Sequence, residues 1–149
     1  AIFLRNHDEI SLATLDPEDR AALLKFLDPH KRYVMKKVGL TSVRIGEIFS
    51  GQREKMRSAL SMLYSAPGAP VTYYGDEIGM RNLQPQNGVI DTRKFVRGPF
   101  DRAVANVQMQ DPKSLFSDVA RMLRASNAEV VHSENPEPVQ PAASVSTKT

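Results

Sequence analysis

The chain has 149 residues, 41% of them hydrophobic, which is enough for one ordinary domain with a core. The formal net charge is only +3, and because Lys and Arg are interspersed with acids we expect no nucleic-acid partner. Cysteine is absent, which excludes disulfides, thiolate nucleophiles and cysteine-ligated metals and suits a cytoplasmic protein. No apolar run approaches the roughly 18 residues of a membrane helix, and no signal-peptide pattern opens the chain, so we expect no membrane partner.

The first part of the chain predicts one strand and one helix. Residues 1–5 are mostly apolar and are typical of a short buried strand. A helix is predicted to follow Asp16, since Asp is a good N-cap and Pro17 suits the first helical position. The pair Asp28-Pro29 should end it. Residues 30–51, rich in Lys, Arg and Gly, are predicted to be a long connection.

The second part predicts a helix, a strand and another helix. Apolar residues recur at helical spacing after Gln52. The β-branched and aromatic stretch 71–74 predicts a buried strand, and residues 81–99 predict a loop. The helix after these is predicted to start at Asp111. The aperiodic stretch 127–149 predicts a disordered tail after a folded region of residues 1–126.

Two buried strands joined by helices indicate an α/β fold with a parallel sheet. Two parallel strands cannot cover both faces and both edges of a sheet by themselves. We therefore expect the chain to be a fragment of a larger domain, as the first residue, Ala1 rather than Met, also suggests.

Polar side chains follow both predicted strands, His7-Asp8 after the first and Asp76-Glu77 after the second. A carboxylate beside an imidazole at a strand end can bind sugar hydroxyls and stabilise an oxocarbenium-like transition state. Three alternatives stay open. These acids with Glu9 and His7 could gather round a divalent metal, a nucleophilic triad could be present without its usual Gly-x-Ser-x-Gly turn, or His7 and Asp8 could merely cap a loop.

Two motifs carry a resemblance to a known family. Phe-Leu-Arg-Asn-His-Asp-Glu at residues 3–9 resembles the fourth conserved motif of the α-amylase family, glycoside hydrolase family 13. The stretch Pro-Gly-Ala-Pro-Val-Thr-Tyr-Tyr-Gly-Asp-Glu at residues 67–77 resembles the strand-eight signature of the same family. Within the family, the Arg-Asn-His-Asp-Glu form and the Leu-Tyr-Ser-x-Pro-Gly-x-Pro context at residues 63–70 are most similar to those of trehalose synthases and related maltose-acting glucosyltransferases and α-glucosidases. Residues 94–100 depart from the trehalose synthase pattern.

The resemblance implies a partial TIM (β/α)8 barrel, made of its last two strands with their helices. It also implies a retaining enzyme that acts on an α-glucoside such as maltose, without a cofactor or metal. Asp8 would be the catalytic carboxylate that stabilises the transition state, and His7 would bind the sugar. Four further residues would support the site from outside direct contact with the sugar: Arg5, Asn6, Asp76 and Glu77.

The nucleophile and the acid/base of such an enzyme are missing from the sequence. A retaining glycosidase needs these two carboxylates about 5–5.5 Å apart. In the family the nucleophile lies in a Gly-x-Arg-x-Asp-Ala pattern, which the 149 residues do not contain. We therefore expect the chain to be inactive by itself. The alternative is a non-catalytic interaction module or a sugar-binding remnant of the barrel.

Overall fold

A computed structural model describes residues 1–12, 14–35 and 40–133, with side chains up to residue 126. Five α-helices and two short strands occur in these ranges. In chain order they are α1 (Pro17–Leu27), β1 (Val34–Met35), β2 (Leu40–Thr41), α2 (Ile45–Ile48), α3 (Arg53–Ser65), α4 (Arg102–Gln110) and α5 (Leu115–Ser133). Single 3₁₀ turns occupy Asp76–Ile78 and Thr92–Phe95.

Helix α1 begins as predicted. The Asp16 carboxylate accepts hydrogen bonds from the backbone N–H groups of Glu18 and Asp19, at 3.0 and 2.9 Å. Such a cap satisfies donors that have no partner inside the first turn. All of α1 lies within the described chain, and none of its 11 residues is buried. The helix therefore lies on the surface and contributes little to the core.

The main core lies between α3 and α5, with α2 at its side. Both long helices were predicted, and their apolar stripes face each other. The fully buried members of this cluster are Ile45, Met56, Leu60, Leu63, Tyr64, Leu115 and Val119. A second, smaller cluster contains Tyr33, Val43 and Phe95. It packs the segment around α2 against the 3₁₀ turn of residues 92–95.

The predicted connection, residues 30–51, contains regular structure that the sequence did not indicate. Strand β1 pairs antiparallel with β2, Val34 opposite Thr41 and Met35 opposite Leu40. Helix α2 follows and packs closely on the backbone after residue 78. A Cβ atom at Gly46 would collide with the carbonyl oxygens of Gly79 and Met80, so this approach requires glycine.

The two segments predicted as buried strands run side by side but are not buried. Ile2 and Pro70 form an isolated parallel bridge, in which the Ile2 N–H donates to Ala69 O at 2.9 Å and the Val71 N–H donates to Ile2 O at 2.8 Å. Phe3 is 52% exposed, and neither segment extends the pairing beyond this bridge within the described chain. The prediction of burial is therefore wrong for Phe3, Leu4, Val71 and Tyr74, which all remain exposed in the described part of the chain.

The C-terminal part differs from the prediction in two ways. Helix α4 was not predicted, since its sequence offers few buried positions and buries only Ala105. Helix α5 is capped by the Ser114 hydroxyl, which accepts from Ser117 N–H at 3.1 Å, and so begins three residues later than expected. It runs through the predicted boundary at residue 126, and the rest of the predicted tail, residues 134–149, lies outside the described residues. No described helix is long and apolar enough to cross a membrane.

Candidate functional site

The predicted site motif forms a tight turn after the first extended segment. The Asn6 side-chain oxygen accepts from the Asp8 N–H at 2.9 Å, which closes the turn. Arg5 ties the turn to the segment before α2, since its Nε donates to Val43 O at 2.7 Å and its Nη2 donates to Asp8 O at 2.8 Å. Burial lowers the Arg5 pKa to about 10, and nearby carboxylates, Asp76 foremost, oppose this shift. Arg5 and Asn6 therefore organise the turn rather than face solvent.

The Asp8 carboxylate is half-exposed and surrounded by three basic side chains. Its Oδ2 lies 3.2 Å from Nε2 of His7. Its Oδ1 accepts from Arg97 Nη2 at 3.1 Å and lies 3.4 Å from Arg93 Nη1. The Asp8 side chain is 42% exposed. A carboxylate has about four acceptor positions, so Asp8 can still accept a hydrogen bond from a bound hydroxyl.

Both arginines come from the segment around the second 3₁₀ turn. Arg93 also binds Asp91 through two hydrogen bonds of 2.8 Å, from Nε and Nη2. These bonds are the main reason that the pKa of Asp91 falls to about 2. Arg97 lies four residues after Arg93, and its Nε donates to His7 O at 3.1 Å. The segment thus contacts both the side chain and the backbone of the His7-Asp8 pair.

The Asp76-Glu77 pair is built differently from the His7-Asp8 pair. Gly75 takes a left-handed conformation, with φ of 88°, and so turns the chain into the 3₁₀ turn that starts at Asp76. The Asp76 residue is only 2% exposed, and its Oδ1 lies 3.3 Å from Arg44 Nη1. Burial raises the pKa of Asp76 to about 7, although the Arg44 guanidinium opposes the shift. Asp76 is an internal group that solvent does not reach.

Arg44, whose side chain is fully buried, connects four segments of the molecule through its side chain and its backbone N–H. Its Nε donates to Val96 O at 3.0 Å and its Nη1 donates to Tyr74 O at 2.8 Å. The guanidinium also stacks on the rings of Tyr73 and Tyr74, at 4.4 and 4.9 Å from their centroids. The Arg44 N–H donates to the Asn82 side chain at 2.8 Å. Arg44 therefore fixes the second extended segment relative to the segment that carries Arg97.

Glu77 has surroundings that differ from those of its neighbour Asp76. It lines a cavity of about 180 Å³ between α3 and α5, whose other walls are mainly apolar. The wall residues are Tyr64, Thr72, Phe116, Val119, Ala120 and Leu123. One carboxylate oxygen, Oε2, is buried without a hydrogen-bond partner in the described part of the chain. The two acids that adjoin each other in sequence thus have different surroundings, although the charge of Glu77 still helps to raise the pKa of Asp76.

Of the predicted site residues, the structure brings Arg5, Asn6, His7 and Asp8 together in one turn. Asp76 lies close enough to Arg5 for its charge to oppose the lowering of the Arg5 pKa by burial. The side chain that closes the turn belongs to Asn6. The hypothesis that His7 and Asp8 merely cap a loop therefore has no support from this bond. In the ranges that the structure describes, no three His, Asp or Glu side chains converge on a point where a metal would bind.

Three basic residues of the site were not predicted: Arg44, Arg93 and Arg97. The spacing of Arg93 and Arg97, four residues apart, is a weak signal that both face the same way. Arg44 has no sequence signal, because it stands between apolar residues in a segment predicted to be a connection. Its role depends entirely on tertiary contacts.

Comparison with known proteins gives the turn a context. The chain is 33% identical over 109 residues to a trehalose synthase of Thermus thermophilus, which covers 70% of this chain and 11% of that protein. It is similar to trehalose synthases. A trehalose synthase/amylase of Mycolicibacterium smegmatis is 39% identical over 83 residues, 55% of this chain and 14% of that protein. A 4-α-glucanotransferase of Thermotoga maritima is 29% identical over 84 residues, 44% of this chain and 19% of that protein.

The names of these relatives, trehalose synthase, trehalose synthase/amylase and 4-α-glucanotransferase, agree with the resemblance in the sequence motifs. The chain spans between about a tenth and a fifth of the length of the curated relatives it matches. No protein-family model matches the chain. The similarity therefore concerns a segment of these enzymes.

Proposed function

We propose that the chain is a segment of a retaining α-glucoside hydrolase or glucosyltransferase of the α-amylase family. In this proposal Asp8 stabilises the positive charge that develops on the sugar ring, and His7 binds a sugar hydroxyl. A maltose-type α-glucoside is the substrate class, in keeping with the resemblance of the sequence motifs to those of maltose-acting enzymes. The nucleophile and the acid/base are supplied outside these 149 residues, so the segment alone does not turn over substrate.

The observation that carries the proposal is the exposure and charge of Asp8 within a fixed turn. Asn6 and Arg5 hold the backbone at Asp8, while the carboxylate itself stays 42% exposed. A preorganised anion of this kind stabilises an oxocarbenium-like transition state without having to reorganise during the reaction. The ring of Tyr73, 6.4 Å from that of His7, adds an aromatic wall beside the turn. Aromatic faces and hydrogen-bonding groups together suit a sugar ring.

We further propose that the two extended segments are neighbouring strands of a (β/α)8 barrel. Support comes from their parallel bridge at Ile2 and Pro70. Support also comes from the position of both polar turns, because each follows the C-terminal end of its segment, where barrel enzymes carry their catalytic groups. The exposed Phe3 and Val71 would then be covered by other strands of the barrel.

Calorimetry of the purified 149-residue chain with maltose tests the proposal. We expect measurable binding that Asp8→Asn weakens at least tenfold, since the substitution removes a charged acceptor of sugar hydroxyls. Asp19→Asn is the matched control, because Asp19 is an exposed aspartate in the first turn of α1. Equal binding by wild type and Asp8→Asn, or no binding at all by the wild type, would contradict the role of Asp8.

A turnover assay tests the second part of the proposal. We expect no release of glucose from maltose, sucrose or p-nitrophenyl α-glucoside by the chain alone. Turnover comparable to that of full-length relatives would mean that the nucleophile and acid/base lie within these residues after all. Binding of maltose without turnover would also be expected of a sugar-binding remnant. A longer chain that includes the nucleophile and the acid/base should turn over substrate only if the enzyme proposal holds.

A further inference from the structure

Arg97 joins the backbone of one site residue to the side chain of the next. Its Nε donates to the carbonyl oxygen of His7 at 3.1 Å, and its Nη2 donates to Oδ1 of Asp8 at 3.1 Å. A planar guanidinium has donors at fixed angles, so two such bonds restrict both the peptide plane and the side-chain rotamer of their acceptors. Arg93 touches the same Oδ1 from 3.4 Å but makes no bond to the backbone of His7.

The backbone on both sides of Arg97 is held in place. The carbonyl oxygen of Val96, the preceding residue, accepts from Arg44 Nε at 3.0 Å and from the Tyr73 hydroxyl at 3.2 Å. The carbonyl oxygen of Gly98, the following residue, accepts from the Tyr74 hydroxyl at 2.7 Å. The Cα of Arg97 therefore stands at a fixed point, although its side chain is 42% exposed.

We infer that Arg97 is a positioning residue for Asp8, and that the cluster of the buried Arg44 with Tyr73 and Tyr74 sets where Arg97 stands. The inference rests on the proposed function, since it gives Asp8 the task of meeting a sugar. Arg97 orients the carboxylate and leaves part of it open to the ligand. Arg44 and the two tyrosines transmit the position of the second extended segment to the turn after the first.

The exposure of Arg97 separates this role from a general contribution to stability. An exposed ion pair contributes little to the free energy of unfolding. Loss of the Arg97 side chain should therefore loosen the His7-Asp8 turn and leave the melting temperature almost unchanged. A residue that merely supported the fold would change both.

The first test uses the full chain without sugar. NMR order parameters of the His7 and Asp8 amides are measured in wild type, Arg97→Gln and Arg97→Lys. We expect values near 0.85 in wild type, typical of rigid backbone, and a fall in Arg97→Gln that is larger at His7 than at Asp8, because the Asp8 amide is still bonded to Asn6. Lysine keeps the charge beside Asp8 but cannot bridge to the His7 carbonyl at the same time, so it should restore the order only in part.

The matched control is Arg57→Gln, because Arg57 is also about half-exposed and pairs with the exposed Glu54 on α3. It should leave the order parameters of the turn unchanged, and none of the three variants should shift the melting temperature by more than a few degrees. Unchanged order at His7 and Asp8 in Arg97→Gln would overturn the inference. So would loosening across the whole chain together with a lower melting temperature.

The second test adds maltose. Arg97→Gln should raise the Kd roughly three- to tenfold, with partial recovery in Arg97→Lys and no change in Arg57→Gln. If wild type binds maltose and Arg97→Gln binds it equally well, the inference is overturned. If wild type does not bind maltose, the proposed function fails, while the sugar-free measurement still decides whether Arg97 positions Asp8.

Discussion

Asp8 and Asp76 each follow an extended segment, and the two segments lie side by side, yet the protein treats their carboxylates in opposite ways. Asp8 is open to solvent and is balanced by arginines that are themselves exposed. Asp76 is enclosed, and its nearest cation, Arg44, has a side chain with no exposed surface. The same sequence pattern, an acid at the end of an apolar segment, thus yields one accessible anion and one internal group.

The difference in exposure indicates that Asp8 is available to a ligand, whereas Asp76 supports the structure. An accessible anion costs little to maintain, because water solvates it, and it can exchange a water molecule for a sugar hydroxyl. A buried carboxylate needs a partner or a proton, and removal of the partner leaves an uncompensated charge. Substitutions at Asp8 and at the Arg44–Asp76 pair should therefore differ strongly in their effect on the free energy of unfolding, although each removes a single charge.

The largest effect is expected from removal of the buried cation. Arg44→Met should lower the free energy of unfolding by roughly 3–5 kcal/mol at pH 8, because it leaves Asp76 without its ion pair and removes the donor to Tyr74 O and one of the two donors to Val96 O. Urea unfolding followed by circular dichroism measures the change. Arg57→Met, at an exposed arginine of α3, should cost less than about 1 kcal/mol. Similar losses in the two variants would mean that burial does not distinguish the two arginines.

The next effect is a dependence on pH that comes from Asp76. Its pKa is raised from 3.8 to about 7, so between these values the folded chain keeps a proton that the unfolded chain has released. The stability linked to Asp76 is therefore complete below about pH 4 and is lost as the pH rises through about 7, by at most about 1.4 kcal/mol per pH unit. Wild type should lose stability relative to Asp76→Asn across this window.

Urea unfolding of both chains at intervals between pH 4 and pH 8 checks this sign. Asp91→Asn is the contrasting variant, because the pKa of Asp91 is lowered rather than raised, through its bonds to an exposed arginine. Its linked stability is present above the ordinary pKa and lost toward pH 2, outside the window. If wild type gains stability relative to Asp76→Asn as the pH rises, the attraction of Arg44 outweighs the burial of Asp76.

The contrast also explains how far the sequence could predict this structure. The cap at Asp16 and the stripes of α3 and α5 depend on neighbours within a few residues, and these predictions are confirmed. Arg5 and Asn6 were predicted to support the site at His7 and Asp8, and the structure brings these four residues together in one turn that the Asn6 side chain closes. Such features are encoded over short distances.

What the sequence could not predict depends on distant partners. Arg44 contacts residues 30 and 52 positions away, and no local pattern indicates those contacts. The burial of Asp76 and the exposure of Asp8 depend on which segments pack over each turn. For the same reason the exposure of Phe3 and Leu4 was not predicted, since apolar composition predicts burial without identifying the surface that would provide it.

The smallest effect on stability is expected at Asp8 itself. Asp8→Asn keeps the shape of the side chain and removes a charge whose partners are all at least about a third exposed, so the free energy of unfolding should change by less than about 1 kcal/mol. Any change should shrink further in 1 M salt, where exposed charges are screened over about 3 Å. Urea unfolding at low and high salt measures both quantities. A loss as large as that of Arg44→Met would show that Asp8 supports the fold, and the division between an accessible and an internal carboxylate would no longer hold.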